Sequence, residues 1–244
     1  MSGIIVAIPA RSGSKALVDK NIRPLGDHPL IAYSIAAAKL IPKFDRILVS
    51  TDSEQYAQVS QAYGAEVPFL RPPELSGDNN TDYEWVNHML QWLKEHDNYQ
   101  PQIVVHLRAT TPFREPAVIE QAISTFLDHT EANALRSSHL MSQSSYKTLE
   151  VENGYYKTLC SGLYNLDQVN RARQEFPPTY DPNGYVDIYK TSFILANGRL
   201  LGNKVFPFVT PQTAEVDTIE DFHYLEFLLS RNPHFASRLF DVKK

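Results

Sequence analysis

Ile4-Ile5-Val6-Ala7-Ile8-Pro9-Ala10-Arg11-Ser12-Gly13-Ser14-Lys15-Ala16-Leu17-Val18-Asp19-Lys20-Asn21 joins two kinds of sequence. Ile4 to Ile8 is a short, β-branched apolar run bounded by Pro9, the pattern of a fully buried strand. The residues after it bring Arg11, Lys15 and Lys20 close together, with Ser12, Gly13 and Ser14 between them. Small residues let backbone N–H groups turn toward an anion, and the three cations supply charge-assisted bonds. A buried strand feeding such a loop points to a nucleoside triphosphate. The spacing excludes a G-x-x-x-x-G-K-[ST] phosphate loop and a G-x-G-x-x-G dinucleotide fingerprint.

Working outward, strand and helix patterns alternate. Pro29 to Leu40 has apolar residues at helical spacing, with Asp27 as a candidate cap. Asp45 to Asp52 reads as a second buried strand with a polar end, where Asp52 is read as a cap for the next helix. That helix spans Glu54 to Tyr63 and is closed by Gly64. Val67 to Leu70 reads as a short strand and Arg71 to Asn80 as a loop. A helix capped by Asn80 or Thr81 runs to about Glu95. Ile103 to Leu107 is another strand, Arg108 to Glu115 a loop, and Pro116 to Asp128 a helix with Pro at its first position. This order predicts an α/β fold with a mostly parallel, Rossmann-like three-layer sheet. Ligands of such sheets sit outside the carboxyl ends of the strands, so the loops at 11–21, 71–80 and 108–115 should converge.

The second half changes character. Residues 136 to 190 are rich in tyrosine, with Asn153-Gly154 and Asn183-Gly184 as hairpin signals. We read an inserted antiparallel lobe here, suited either to a homodimer interface or to an aromatic core within one chain. Val205 to Val209 and Glu215 to Asp217 return to strand character, and Thr218 caps a helix to Leu229. On a strand, Glu215 and Asp217 face the same way. Two such carboxylates repel unless a cation lies between them, which makes them candidate metal ligands.

Composition bounds the rest. The 244 residues suit one large α/β domain, 1–244, and 43% hydrophobic residues supply an ordinary core. A net charge of −5 argues against a nucleic-acid surface. The single cysteine, Cys160, allows no internal disulfide and fits the cytoplasm. No apolar run approaches membrane-spanning length and no secretory signal is apparent, so neither a membrane nor a nucleic acid is expected as partner.

Ala-Arg-Ser-Gly-Ser-Lys followed by Lys20-Asn21 resembles the opening signature of the acylneuraminate cytidylyltransferases, A-R-x-G-S-K-G-x-x-x-K-N, with Ala16 in place of Gly. The resemblance continues through Leu70-Arg71-Pro72, Asp78-Asn79, Thr110-Thr111-Pro112-Phe113-Arg114, Pro182-Asn183-Gly184 and Glu215-Val216-Asp217-Thr218, so it spans nearly the whole chain. It implies joining of CMP from CTP to a sugar acid, with Mg²⁺ and release of pyrophosphate. It implies triphosphate contacts and catalysis by Arg11, Ser14, Lys15 and Lys20. Ala10, Ser12, Gly13, Asn21, Arg71 and Asn79 would complete the nucleotide site, with backbone N–H groups of Ser12 to Lys15 on the pyrophosphate. Arg108, Thr110, Thr111 and Asp187 would meet the acceptor. Lys147 and Arg173 would reach the acceptor across a homodimer formed by the lobe. Asp217 and Glu215 would hold the metal, although the family usually has Asp-x-Asp.

The acceptor positions depart most from the sialic acid enzymes. Arg108 stands where Gln is common, Ala109 where Pro follows it, and Asp181 where some members carry Arg. Leu200 and Leu201 stand where some have a Phe pair. The expected acceptor is therefore a sialic-acid-like nonulosonate other than N-acetylneuraminate, of the legionaminic or pseudaminic type. Activation of a sugar 1-phosphate and nucleotide binding without turnover are the alternative readings.

Overall fold

In the computed structural model, which describes residues 3–160 and 162–241, strand β1 runs over Ile4–Pro9 and is buried along its middle. Its side chains alternate between two apolar layers. Val6 and Ile8 face one layer, Ile5 and Ala7 the other. A two-residue hairpin, β2 (Pro24–Leu25) and β3 (His28–Pro29), leads into helix α1 (Leu30–Lys39). The α1 N-cap is Pro29, with no side-chain cap, so Asp27 does not take the expected role. Asp27 lies beside Gly26, whose φ is +61°, between the two short strands.

Strand β4 (Arg46–Ser50) and helix α2 (Glu54–Ala62) follow as expected. Ser53, not Asp52, caps α2 by accepting from the Tyr56 N–H. The strand expected over 67–70 reduces to isolated bridges, Leu48 to Glu66 and Thr51 to Leu70. Helix α3 (Asp82–His96) starts with a capping box between Thr81 and Glu84. Strand β5 (Ile103–His106) and helix α4 (Pro116–Asp128) complete the first half.

Strand β6 (Ala134–Leu140) enters the central sheet, and the chain then leaves it. The excursion contains the hairpin β7 (Leu149–Glu152) and β8 (Tyr155–Thr158), joined by Asn153-Gly154 with both φ values positive. The chain returns as β9 (Tyr180–Lys190), followed by α5 (Thr191–Asn197), β10 (Val205–Val209), α6 (Ile219–Arg231) and α7 (His234–Phe240). The sheet order is β10-β6-β9-β5-β1-β4, with β9 antiparallel to both of its neighbours and the other pairs parallel. The excursion is thus narrower than 136–190, because both strands at its base are hydrogen-bonded into the central sheet.

Asn183-Gly184 is not a hairpin turn. It lies inside β9, opposite a register irregularity between Arg136 and Ser138. Gly184 has φ +60°, and a Cβ there would lie 2.7 Å from Arg108 Cδ. The sequence pattern that makes a tight turn elsewhere makes a bulge here, because β9 pairs with β6 on either side of it, at Pro182 and at Asp187. Glu215 to Asp217 is a loop rather than a strand, tied at its centre by the Val216 N–H to the Thr110 carbonyl at 3.0 Å.

The two apolar layers give the expected three-layer form. One contains α1, α4, α6 and α7, the other α3 and α5. Trp85, Val86, Met89, Leu90 and Leu93 form the buried stripe of α3. No helix among the described residues is long and apolar enough to cross a membrane.

Candidate active site

A cavity of about 230 Å³ opens at the carboxyl ends of β1, β4 and β5. The three loops do converge on it: Arg11, Ser14, Lys20 and Asn21 from the first, Arg71, Asp78 and Asn80 from the second, and Arg108 and Thr110 from the third. Trp85 and Asp82 of α3 close one wall.

Polar side chains hold the first loop together with its own backbone. Asp52 Oδ1 accepts from the Ser12 N–H at 2.8 Å, and Oδ2 accepts from the Ser12 hydroxyl at 3.2 Å. Asn21, nearly fully buried, donates from Nδ2 to the Arg11 carbonyl at 3.1 Å. Ala10 is buried and donates its N–H to the Ser50 carbonyl. The Ser14 N–H is taken by the Ser12 carbonyl at 2.9 Å. Two of the backbone donors expected for pyrophosphate are therefore engaged within the protein. A Cβ on Gly13 would meet no atom within 4 Å, so packing does not demand glycine there.

The cations of this loop differ in setting. Arg11 Nη1 donates to Asp78 Oδ1 at 2.7 Å, and Lys15 Nζ lies 2.5 Å from Oδ2 of the same carboxylate. Those bonds, Lys15 first, hold the exposed Asp78 carboxyl below its ordinary range. Lys20, with a side chain only 12% exposed, donates to the Val216 carbonyl at 2.8 Å and lies 3.2 Å from Asp217 Oδ1. Arg71 is the most deeply set cation of the cavity. Its Nε donates to Ser50 Oγ at 3.0 Å, its Nη2 to the Ser50 carbonyl at 2.6 Å, and its guanidinium stands over the Trp85 ring. Burial pushes Arg71 down to about 10, which leaves it charged at neutral pH. Its hydrogen bonds go to neutral oxygens, so its charge is available to an anion in the cavity. Asn79 is exposed and lies off the cavity wall, where its neighbour Asn80 stands instead.

Beyond the third loop a second cavity, of about 270 Å³, shares Thr81, Asp82 and Arg108 with the first. Arg108 Nη2 donates to Asp82 Oδ2 at 2.8 Å and lies 4.0 Å from Asp187 Oδ2. Leu200 and Leu201 line it as well. Burial pushes the Asp187 carboxyl up from the ordinary carboxylate range. Thr111 is fully buried beside the Gly184 bulge, and Thr110 Oγ1 donates to Glu215 Oε1 at 3.0 Å.

The remaining candidates lie apart. Lys147 donates to the Arg171 carbonyl and Arg173 to the Ser142 carbonyl, and neither lines the two cavities. Asp217, 78% exposed, and Glu215 stand beside the first cavity through Lys20 and Thr110. The strand that would set both on one face is absent. Among the described residues no group of three or more His, Cys, Asp or Glu side chains is placed to hold a metal ion.

Two contributors are not assigned from the sequence. Arg114 is fully buried at the centre of the third loop. It donates to the carbonyls of Arg108, Thr111, Gly184 and Tyr185 and to Ser34 Oγ, so it ties the loop after β5 to the β9 bulge. Its place in Thr-Thr-Pro-Phe-Arg was the available signal. Asp82, which joins the two cavities, reads in sequence only as the first residue of a helix.

Residues 5–228 match the cytidylyltransferase family. The post-translational flagellin modification protein B of Campylobacter coli is 32% identical over 231 residues, covering 94% of this chain and 96% of that one. The CMP-N,N'-diacetyllegionaminic acid synthase of Campylobacter jejuni is 30% identical over 232 residues, with the same coverage. The chain spans about half the length of the N-acylneuraminate cytidylyltransferases it matches. Among solved structures, a CMP:2-keto-3-deoxy-manno-octonic acid synthetase complexed with CTP superimposes with a TM-score of 0.71 at 16% identity, covering 95% of this chain and 100% of that one. The fold, the convergent loops and the match across most of its length agree: this chain belongs to the cytidylyltransferase family.

Proposed function

We propose that the enzyme transfers CMP from CTP to the anomeric hydroxyl of a nonulosonic acid. The observation that carries this reading is the pair of adjoining cavities that share Asp82 and Arg108. The first offers Arg11, Lys20 and the buried Arg71 to a polyanion. The second offers both hydrogen-bonding groups and an apolar wall, as a substituted sugar acid requires. The acceptor oxygen forms a bond to the α-phosphorus while the bond to the bridging oxygen of the β-phosphate breaks. Pyrophosphate departs with that electron pair, and the hydroxyl proton passes to water. Catalysis of this kind rests on positioning and on neutralising phosphate charge.

Asp217 and Glu215 are the proposed holders of Mg²⁺. A magnesium ion takes one or two carboxylates together with substrate phosphate oxygens and water, so a pair beside the polyanion cavity fits it. When bound, the ion neutralises charge on the transferring phosphate. The excursion at 141–179 exposes Leu149, Val151, Tyr155, Tyr156 and Leu163, which favours a homodimer. Lys147 and Arg173 lie outside both cavities of their own chain, as residues serving a partner's acceptor would. The CTP requirement and the lone Cys160 favour the cytoplasm. The relatives' names and the departures at Arg108 and Asp181 favour an acceptor of the legionaminic or pseudaminic type.

Pyrophosphate release from CTP and Mg²⁺ across a panel of nonulosonic acids tests the reading, with Asp217→Ala as control. Release with one acid, lost in the variant, is the expected result. CTP binding without release from any acid overturns it. A clear preference for N-acetylneuraminate overturns the choice of sugar.

A further inference from the structure

Trp85 lines the first cavity and reaches the second through Asp82. It is nearly fully buried and lies on the same face of α3 as Asp82, three residues before it. Its indole N–H donates to Asp82 Oδ1 at 3.0 Å. Asp82 Oδ2 accepts from Arg108 Nη2 at 2.8 Å, so both oxygens of this carboxylate are engaged. The Arg71 guanidinium stands over the indole ring, 5.6 Å from its centroid. The His106 ring packs edge-to-face against the same indole, with centroids 5.1 Å apart, and limits its rotation.

The two polar contacts use different properties of one side chain. A cation over an aromatic face is held by the electron-rich ring and needs no N–H. The hydrogen bond to Asp82 needs the N–H, which donates only. Ser50 holds one edge of the Arg71 guanidinium through Nε and Nη2, and the indole holds its face. Arg71 is thereby presented to the first cavity in one orientation. Asp82 is fixed at Oδ1 and passes that constraint to Arg108 at Oδ2. A buried indole needs only some acceptor, and here the acceptor is the one carboxylate that both cavities share.

We propose that Trp85 is a positioning residue for both substrates. Its ring face sets Arg71 for the nucleotide, and its N–H sets Asp82 and, through it, Arg108 for the acceptor. This deepens the function proposed above and rests on it.

Two changes separate the halves. Trp85→Phe keeps an aromatic face and removes the N–H. Biosynthetic replacement of Trp85 by mono-, di- and trifluorinated tryptophan keeps the N–H and the shape but draws electrons from the face. Trp92 packs on Phe69 and His96 and lines neither cavity, so Trp92→Phe leaves Trp85 as the labelled indole. CTP affinity is measured by calorimetry without acceptor. The KM for the best acid of the panel is measured by pyrophosphate release at saturating CTP. Trp85→Phe should raise the acid KM about tenfold and change CTP affinity by no more than about twofold. Fluorination should weaken CTP binding in steps, to about threefold or more, and leave the acid KM unchanged. Unchanged CTP affinity on fluorination overturns the inference, as does an unchanged acid KM in Trp85→Phe. So does either change moving both quantities alike, which is the pattern of a residue that only fills space. The fluorinated chain keeps the shape of the site, so it decides where Trp85→Phe fails to fold. Release with no acid from the wild type overturns the acceptor reading itself and this inference with it.

Discussion

Asp52 grips Ser12 twice, through the backbone N–H at 2.8 Å and through the hydroxyl at 3.2 Å. A carboxylate just after β4 therefore sets the path of the loop that follows β1. Hydrogen bonds to a charged group are worth about 1.5–3 kcal/mol. Asp52→Ala should raise the KM for CTP by about tenfold or more, and Asp52→Asn by less, because its amide oxygen still accepts the N–H. Steady-state pyrophosphate release measures this. An unchanged KM in Asp52→Ala would show that the loop is ordered by CTP itself.

Asp78 occupies two cations proposed for the triphosphate, Arg11 and Lys15. These are exposed pairs, easily exchanged for a more highly charged partner. Asp78→Asn should bind CTP more tightly, by roughly threefold at low salt, and the gain should shrink as salt is added. Calorimetric titration without acceptor checks it. Weaker binding in the variant would mean that Asp78 positions the cations instead of competing for them.

Arg114→Met should destabilise the fold. It leaves the carbonyls of Arg108, Thr111, Gly184 and Tyr185 without their buried donor. With about 1–3 kcal/mol for each unsatisfied group and partial relief by relaxation, a loss of at least about 3 kcal/mol is expected. That corresponds to a fall in melting temperature of about 6–12 °C for a chain of this size. A thermal melt of the variant within about 2 °C of wild type would show that the carbonyls find water.

His106 makes stability fall in mild acid. The ring is buried, with Nδ1 3.1 Å from the Tyr189 hydroxyl, and burial pushes it down to about 3. Asp82 draws it the other way, while Arg108, Arg114 and Arg136 add to the depression. An unfolded histidine takes up its proton near 6.5. Between those values the unfolded chain holds more protons, so stability falls as pH drops from about 6.5 toward 3. The cost at pH 5 relative to neutral is about 2 kcal/mol. His88, lowered by burial, acts in the same sense. Urea unfolding of His106→Gln at pH 5 and 7 should show a smaller difference than wild type. Equal differences would mean that His106 titrates as freely in the folded chain as in the unfolded one.

What could be read from the sequence follows physical range. Ile4 to Ile8, Ile103 to Leu107 and the α3 stripe are local patterns with strong periods, and each stands where expected. The convergence of three loops follows from strand order alone. Asn183-Gly184 misleads because its conformation is chosen by neighbours distant in sequence: Arg108 crowds any Cβ at 184, and Arg114 collects the bulge carbonyls. In sequence Asp52 reads as the cap of the helix beside it, whereas its partner is Ser12 of a different loop.

The antiparallel β9 has a further consequence. The excursion leaves from Leu140 and returns at Tyr180, and these two residues are register partners in the same ladder. Topologically the excursion is the tip of one very long hairpin. Loop-closure entropy grows only with the logarithm of length, so a tip of this size costs about 2 kcal/mol more than a tight turn. Its length and sequence are therefore weakly coupled to the catalytic sheet. A lineage can exchange one tip for another, changing which neighbour the enzyme meets, while the strands beneath keep their register.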